Sequence, residues 1–106
     1  MSANRRIVAQ AVGTLAFGSV AVGYTTLQGP IAGRGVVVAI ANSLNGGVIL
    51  SLDGGTTDFI RLPAATPITI DLGANSAEFS GTISVKQDGA GAPTSGFISC
   101  GVIRVN

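Results

Sequence analysis

The amino-acid sequence predicts an all-β fold, namely a single small β-sandwich or jelly-roll-like barrel of about seven to eight short antiparallel strands with an extended N-terminal arm. Three features support this prediction. Short runs rich in Val, Ile and Thr alternate between apolar and polar side chains, which is the period of a strand. Clusters of Gly, Asn, Asp and Pro separate these runs. No helical period persists, because the one long apolar stretch contains Gly13, Gly18 and Gly23.

The chain has 106 residues, which suffices for one domain with one core. We assign residues 1–14 to the N-terminal arm and residues 15–106 to the β-sandwich domain, with a first strand near Leu15–Leu27. Arg5 and Arg6 before an apolar stretch also match the start of a cleaved secretory signal, which is the alternative interpretation. The early polar break in that stretch, and its continuation into the strand-like YTTLQG, favour the arm.

The middle of the chain supplies the next strands. VVVAIANSL is continuous and β-branched, a pattern typical of a strand that is covered on both faces. Asn45-Gly46 follows it and is a strong signal for a β-hairpin. VILSLD then alternates, with Val48, Leu50 and Leu52 on one face. DGGTT turns the chain into the short strand DFIRLP.

Three further strands complete the predicted domain. PITIDLG alternates, with Ile68, Ile70 and Leu72 directed inward. GTISVKQ does the same with Ile83 and Val85. DGAGAPTSG is a long turn by its composition, and FISCGVIRV closes the chain as the final strand.

The composition predicts that much of the surface is covered in an assembly. Apolar residues make up 46% of the chain and charged residues only 10%, against about 25% charged residues in a typical globular domain. The mean hydropathy is +0.56. Few charges keep a lone monomer dissolved, and exposed apolar area tends to mark contact surfaces. The alternative is that abundant Ala and Gly raise the index without forming an apolar patch.

The charge and residue inventory argue against several functions. The net charge of +1 does not favour nucleic acid or an anionic membrane as a partner. The chain has no His, so no Ser-His or Cys-His pair and no imidazole metal ligand exists. Its single cysteine, Cys100, is expected to be a small buried residue in a strand. We therefore predict a protein that is not an enzyme and has no cofactor, bound metal or small-molecule substrate.

The segment LSLDGGTTD, residues 50–58, is the strongest candidate for chemistry. Asp53 and Asp58 resemble a calcium loop or a carboxylate pair, but no Glu follows until Glu78, and aromatic walls for a sugar are scarce. A tight turn needs only local physics, because Asp bonds to the amides ahead of it and Gly54-Gly55 accepts positive φ. The turn is the favoured interpretation.

The run from VAIAN to the final GVIRV resembles small structural proteins of tailed-bacteriophage virions. The features in common are a strand ending in Asn (AIAN), a strand ending in S-x-D-G (SLDG), a proline-led ITIDLG strand and a closing G-x-I-x-V strand. The resemblance covers roughly residues 35–105. It implies a β-sandwich used for particle assembly, as a capsid decoration protein, a head–tail joining protein or a tail component. It implies no catalytic residues.

We therefore expect a virion structural protein, foremost a capsid decoration (cement) protein that stabilises a phage head and is assembled in the host cytoplasm. The expected partners are copies of the same chain and another virion protein such as the major capsid protein. The alternatives are a head–tail joining or tail accessory protein of similar fold, or a secreted adhesin or sugar-binding module. The expected assembly contact is in the arm, at Arg5, Arg6, Ile7 and Val8, where two cations adjoin an apolar pair.

Overall fold

The computed structural model of the chain describes residues 7–31, 34–71, 81–89 and 91–105. These residues form nine strands and one short 3₁₀ turn. The strands are β1 (Ile7–Ala9), β2 (Gly13–Ala16), β3 (Thr25–Gln28), β4 (Arg34–Asn42), β5 (Val48–Ser51), β6 (Ile60–Leu62), β7 (Ile68–Asp71), β8 (Ile83–Gln87) and β9 (Phe97–Val105), and the 3₁₀ turn is η1 (Phe17–Ser19). The all-β prediction is confirmed. No helix among the described residues has the length and apolar character needed to cross a membrane.

The strands form two antiparallel sheets that pack as a sandwich. The first sheet has the order β1-β9-β4-β7, and β2 also pairs with β9. Strands β1 and β2 lie end to end along the same edge of β9, because Ile7–Ala9 pairs with residues 103–105 and Gly13–Ala16 with residues 97–100. The second sheet has the order β3-β8-β5-β6.

The strand order is that of a jelly roll. The antiparallel pairs β2·β9, β3·β8, β4·β7 and β5·β6 fall alternately in the first and the second sheet. That arrangement results when one long ribbon of paired strands is rolled around a common core, as in the eight-stranded jelly rolls. The extra strand, β1, prolongs the edge of the first sheet. The observed count therefore exceeds the predicted seven to eight because the N-terminal stretch supplies two short strands along β9.

The core lies between the two sheets, and the apolar side chains that the structure describes there are aliphatic apart from one thiol. Alternation along each strand directs every second side chain into it, as predicted for Val48 and Leu50 in β5 and for Ile83 and Val85 in β8. Leu72, predicted to point inward, lies outside the described residues. The buried apolar residues are Val20, Leu27, Ile31, Val38, Ile40, Leu44, Val48, Leu50, Leu62, Ile83, Val85, Ile98, Cys100 and Val102, with Ile68 and Ile70 packed against them.

The predicted hairpin at Asn45-Gly46 is wrong. Strands β4 and β5 belong to different sheets, so the connection between them crosses the sandwich instead of reversing within one sheet. Gly46 does not adopt the positive φ that a type I′ turn requires. The Asn45 carboxamide instead accepts the backbone N–H groups of Thr94 and Ser95, at 2.8 and 3.2 Å. Burial of Leu44 between the sheets outweighs the local turn preference.

The predicted first strand across Leu15–Leu27 is divided in two. Strand β2 ends at Ala16, the 3₁₀ turn follows, and β3 begins at Thr25 in the other sheet. A continuous strand cannot form here because the chain passes from one layer of the sandwich to the other. The boundary drawn after residue 14 also falls inside β2, since residues 7–9 and 13–16 are already strands of the chain's own sheet.

Gln28 joins the two sheets at the edge where β2 faces β3. Its side chain is buried, and its Nε2 donates to the carbonyl oxygens of Ala11 and Cys100, both at 3.0 Å. Its Oε1 accepts from Gln10 Nε2 at 3.0 Å. Gly13 permits the close approach, because a Cβ there would collide with the backbone carbonyl oxygen of Leu27. Hydrogen bonds thus satisfy a buried amide that would otherwise carry a desolvation cost.

Candidate functional site

The side of the first sheet that faces away from the core is the main candidate site. Successive side chains of a strand point to opposite faces, so the residues that alternate with the core positions share this side. Cross-strand pairs such as Ala39 with Gly101 and Thr14 with Ser99 establish the register. We call the following set the outer face: Ala9, Thr14, Ala16, Val37, Ala39, Ala41, Thr69, Asp71, Phe97, Ser99, Gly101 and Ile103.

The outer face is almost free of charge. Asp71, at the end of edge strand β7, is the only charged residue in the set, which does not include Arg34 at the start of β4, opposite residue 105. The other sheet differs, because Ile49 on its outward side is flanked by Arg61 and Lys86. The cores of protein–protein interfaces are depleted in charge and enriched in aromatic residues, and Phe97 on the outer face is 57% exposed. The surface therefore has the chemistry of a protein contact.

Strand β4, which the sequence predicted to be covered on both faces, is covered on one. Val38 and Ile40 point into the core, while Ala39 and Ala41 on the opposite side are exposed. Within the chain the strand is thus covered on one face only, so the prediction is wrong for the single molecule. The reason is that the described residues place no second layer over the outer face. Small apolar side chains on that side remain in contact with water.

A groove interrupts one end of the outer face. It has a volume of about 360 Å³ and lies where β4 ends and β7 begins. The loop between β6 and β7 forms its wall, held by a hydrogen bond from Ala65 N–H to the Leu44 carbonyl at 2.9 Å. Asn42 Nδ2 lies 3.3 Å from the Thr66 carbonyl oxygen and supports the same loop. The groove is lined by Ala41, Asn42, Ser43, Ala65, Pro67, Phe97 and Ser99.

Phe97 stands on a rigid backbone beside this groove. Its carbonyl oxygen accepts the Ser43 N–H at 2.8 Å, and its own N–H donates to Ser43 Oγ at 3.0 Å. The preceding residue, Gly96, accepts the Phe17 N–H at 3.0 Å. An exposed aromatic ring whose backbone is already ordered loses little conformational freedom when it binds, which is the property of an interface anchor.

The acidic loop is a turn, as predicted. Strands β5 and β6 pair as a hairpin on either side of it. Asp53 Oδ1 accepts three hydrogen bonds, from Ser51 Oγ at 2.7 Å, from Thr56 N–H at 3.0 Å and from Thr57 N–H at 2.9 Å. Gly54 and Gly55 both adopt positive φ. The carboxylate therefore closes the turn, and its hydrogen bonds are local.

Asp58 is held against the second sheet by two side chains. The Tyr24 hydroxyl donates to it, and Lys86 Nζ lies 3.5 Å from it and 4.6 Å from the centre of the Tyr24 ring. Partial burial and the bond to Asp58 raise the pKa of Tyr24 to about 12, and the same bond lowers the pKa of Asp58. A glycosidase pair needs one carboxylic acid of raised pKa. The acidic loop does not supply one.

Two further features bear on metal and thiol chemistry. Within residues 7–31, 34–71, 81–89 and 91–105, no three Asp, Glu, Cys or His side chains come together in a group that could hold a metal ion. Cys100 is fully buried in β9, as predicted, and burial raises its pKa to about 11. The thiol is therefore protonated at neutral pH and is not a nucleophile.

No protein-family model, curated protein or solved structure matches this chain.

The structure describes only part of the predicted arm contact. Arg5 and Arg6 lie outside the described residues, whereas Ile7 and Val8 belong to β1 and pair with residues 105 and 104 of β9. The apolar pair is thus part of the chain's own sheet. The assembly contact at Arg5, Arg6, Ile7 and Val8 stays a prediction.

The sequence reasoning did not identify the outer face or Phe97. The signal was present in the alternation of β9, where Phe97, Ser99 and Gly101 share one face. Residues of the other face, such as Ile98, are also apolar, so the pattern did not say which face meets water. Only the position of the second sheet decides that.

Asp53→Asn is expected to flatten the acid sensitivity of the fold. Hydrogen bonds from Ser51 and then Thr57 lower the pKa of Asp53 to about 2 in the folded protein. The stabilisation is present above the ordinary Asp value of about 4 and is lost as the pH falls to about 2. The urea midpoint of the wild type should therefore fall more steeply over this range than that of the variant, whose side chain does not titrate. Asp58 titrates in both proteins, so a difference between the two curves of urea midpoint against pH reports on Asp53. Parallel curves would therefore contradict the lowered pKa of Asp53.

Proposed function

We propose that this chain is a non-enzymatic virion structural protein that decorates and stabilises the capsid of a tailed-bacteriophage head. The observation that carries the proposal is the outer face, a sheet surface with an exposed Phe97 and Ile103 and a single carboxylate at its edge. Such a surface binds other proteins by excluding water, at about 25 cal/mol for each Å² of apolar area buried. A cement protein needs this kind of broad contact and no reaction chemistry.

The jelly-roll order of the strands supports the same proposal. Viral capsid proteins and lectins commonly use this fold, although one fold can serve many functions. The outer face is broad and shallow, whereas sites for small molecules usually enclose most of their ligand. Among the described residues, the acidic loop is occupied with closing its own turn. Protein contact is the function that these features favour.

The proposed partners are copies of this chain and another virion protein, such as the major capsid protein. The proposed location is the virion, with assembly in the host cytoplasm. We include the predicted arm contact at Arg5, Arg6, Ile7 and Val8 in this proposal, because β1 brings residue 7 to the end of the first sheet, opposite residue 105. Arginines preceding that point can form forked hydrogen bonds with carboxylates of a neighbouring subunit.

Removal of residues 2–6 is expected to leave the domain folded and to reduce its incorporation into particles. The deletion spares β1 and its pairing with β9, so circular dichroism and the melting temperature should be unchanged. Incorporation is measured as the amount of the chain per particle after purification. The matched control replaces Arg5 and Arg6 with Lys, which keeps both charges but removes the planar fork. Normal incorporation of the deleted chain would exclude the arm from assembly.

The proposed function as a whole is tested by electron microscopy of native particles. A decoration protein predicts density for this domain at repeated positions over the surface of the head. Density in one ring at the neck, or along the tail, would instead assign the chain to head–tail joining or to a tail accessory role. Absence of the chain from particles would overturn the virion role. Binding of purified protein to glycan arrays would then test the adhesin alternative.

A further inference from the structure

We propose that the outer face binds a second copy of this chain, face to face, about a two-fold axis that runs parallel to the strands between β4 and β9. The inference rests on the proposed function only in treating the outer face as an assembly contact, and it names the molecule that covers it. Phe97 of each copy occupies the groove of the other. The resulting interface is isologous, so each contact occurs twice.

The layout of the sheet is compatible with this axis. We call each strand position across the sheet a lane. The first sheet has four lanes: β1 and β2 share the first, and β9, β4 and β7 follow in that order. The midline of four lanes lies between the second and third, which are β9 and β4. Rotation about that midline superimposes four lanes on four lanes, with β9 of one copy over β4 of the other. An axis that is parallel to the strands but displaced sideways from this midline would leave a lane uncovered.

The same rotation brings Phe97, the aromatic residue of the defined outer face, to the groove of the partner. Phe97 lies on the β9 side of the midline, and the groove extends to the β4 side, past Ala41 towards Ala65 and Pro67. The rotation places the β9 side of each copy over the β4 side of the other, so each Phe97 ring lies over the partner's groove. The volume of about 360 Å³ is sufficient for a phenyl ring. Between the rings, Ala39 and Gly101 allow the two sheets to approach closely.

The area is large enough for a stable pair. Strands lie about 4.8 Å apart and rise about 3.4 Å per residue. Three lanes run along the nine residues of β9, and the lane of β7 has four residues, so the sheet covers roughly 500 Å². The two copies together then bury about 1,000 Å², which is the lower bound of roughly 1,000 Å² expected of a specific interface.

The charges favour a second copy over a charged partner. Asp71 is the only charged residue in the defined outer face, and Arg34 is at the start of β4, beyond the end of this face, so the middle of the face offers an acidic or basic partner little electrostatic complementarity. Under the proposed rotation the two Asp71 residues lie on opposite margins, about three strand spacings or 14 Å apart. At that distance their repulsion is screened at physiological ionic strength. The centre of the interface contains only small or apolar side chains and two hydroxyl types, Ser and Thr.

The first experiment measures the mass of the purified chain in solution by sedimentation equilibrium at micromolar concentrations. The expected mass is twice the 10.5 kDa of the chain. Phe97→Asp should weaken association by about thirtyfold or more, which is the effect of losing a buried aromatic anchor. Phe59→Asp is the matched control, since Phe59 is 45% exposed but lies outside the outer face, and this variant should dimerise normally. Circular dichroism establishes that both variants are folded.

The second experiment tests the axis and covers the case in which Phe97→Asp fails to fold. Ala41→Lys places a cation in the groove wall and should by itself prevent dimerisation. Mixing folded Phe97→Asp with folded Ala41→Lys should restore a one-to-one dimer, because the new carboxylate then faces the new ammonium group across the interface. If Phe97→Asp does not fold, a folded Ala41→Lys monomer supports the proposed face. A folded Ala41→Lys variant that dimerises like the wild type would overturn it.

The outcomes separate this inference from the proposed function. A wild-type chain that is monomeric at micromolar concentrations, yet present on particles, would overturn the dimer and leave the virion role intact, with another virion protein covering the outer face. A dimer that Phe97→Asp disrupts, in a chain absent from particles, would support the dimer and overturn the virion role. A dimer that tolerates both substitutions would place the contact elsewhere and overturn the inference.

Discussion

Gly96→Ala is expected to destabilise the fold by about 3–5 kcal/mol, a large part of the stability of a small domain. Gly96 has a φ of 96°, which a residue with a side chain rarely adopts. A Cβ at this position would also lie 2.6 Å from the Ser43 carbonyl carbon and 2.9 Å from Leu44 Cα. Both obstacles are backbone atoms, so neither can rotate away. The end of β4 and the start of β9 would have to separate.

The measurement is the free energy of unfolding in urea. Gly89→Ala is the matched control, because Gly89 has a similar φ of 90° but has open space around its Cβ position. It should lose only the backbone strain, about 1–2 kcal/mol. The difference between the two variants isolates the steric collision at Ser43. Equal losses of unfolding free energy in both variants would show that the backbone around Gly96 makes room for a Cβ without an energetic cost.

Leu44→Ala is expected to cost about 3 kcal/mol, within the range for truncating a fully buried leucine. Leu44 is 0% exposed although it lies in the connection between β4 and β5. Its backbone N–H donates to Asn42 Oδ1 at 3.0 Å, and its carbonyl accepts from Ala65. These bonds hold the connection in place, so the cavity cannot readily collapse. The variant should unfold at a clearly lower urea concentration.

Val22→Ala is the control for this variant, since Val22 is 80% exposed and its truncation should change stability by less than about 0.5 kcal/mol. An effect of Leu44→Ala as small as that of Val22→Ala would contradict the burial of Leu44. Loss of dimerisation by Leu44→Ala without loss of stability would also contradict it, because a core residue acts through the fold.

Much of the local structure was predictable from the residues in order. The alternation in β5 placed Val48 and Leu50 in the core, and Asp53 with two glycines correctly predicted the turn of the β5–β6 hairpin. These features depend on contacts between residues close in the chain. A strand's period of two and a turn's capping bond can therefore be recognised without knowing where the rest of the chain lies.

The candidate site was less predictable, because it is made by residues from strands that are distant in the chain. Phe97 and Ala41 share the outer face only because β9 pairs with β4. Both faces of β4 and β9 contain apolar residues, so the sequence pattern did not show which face is exposed to solvent. The low charge of the chain predicts that some surface is covered in an assembly, but it does not locate that surface.

By itself, the sequence determined three features: the all-β fold class, the alternation of side chains between the two faces of each strand, and the turn at Asp53. All three follow from local backbone geometry. The tertiary structure decided which sheet each strand joins. Asn45-Gly46 illustrates the difference, since its local preference for a hairpin was overridden by burial of Leu44 between the sheets. The outer face exists for the same reason: rolling the strand pairs into two layers leaves one side of the first sheet without a covering layer among the described residues.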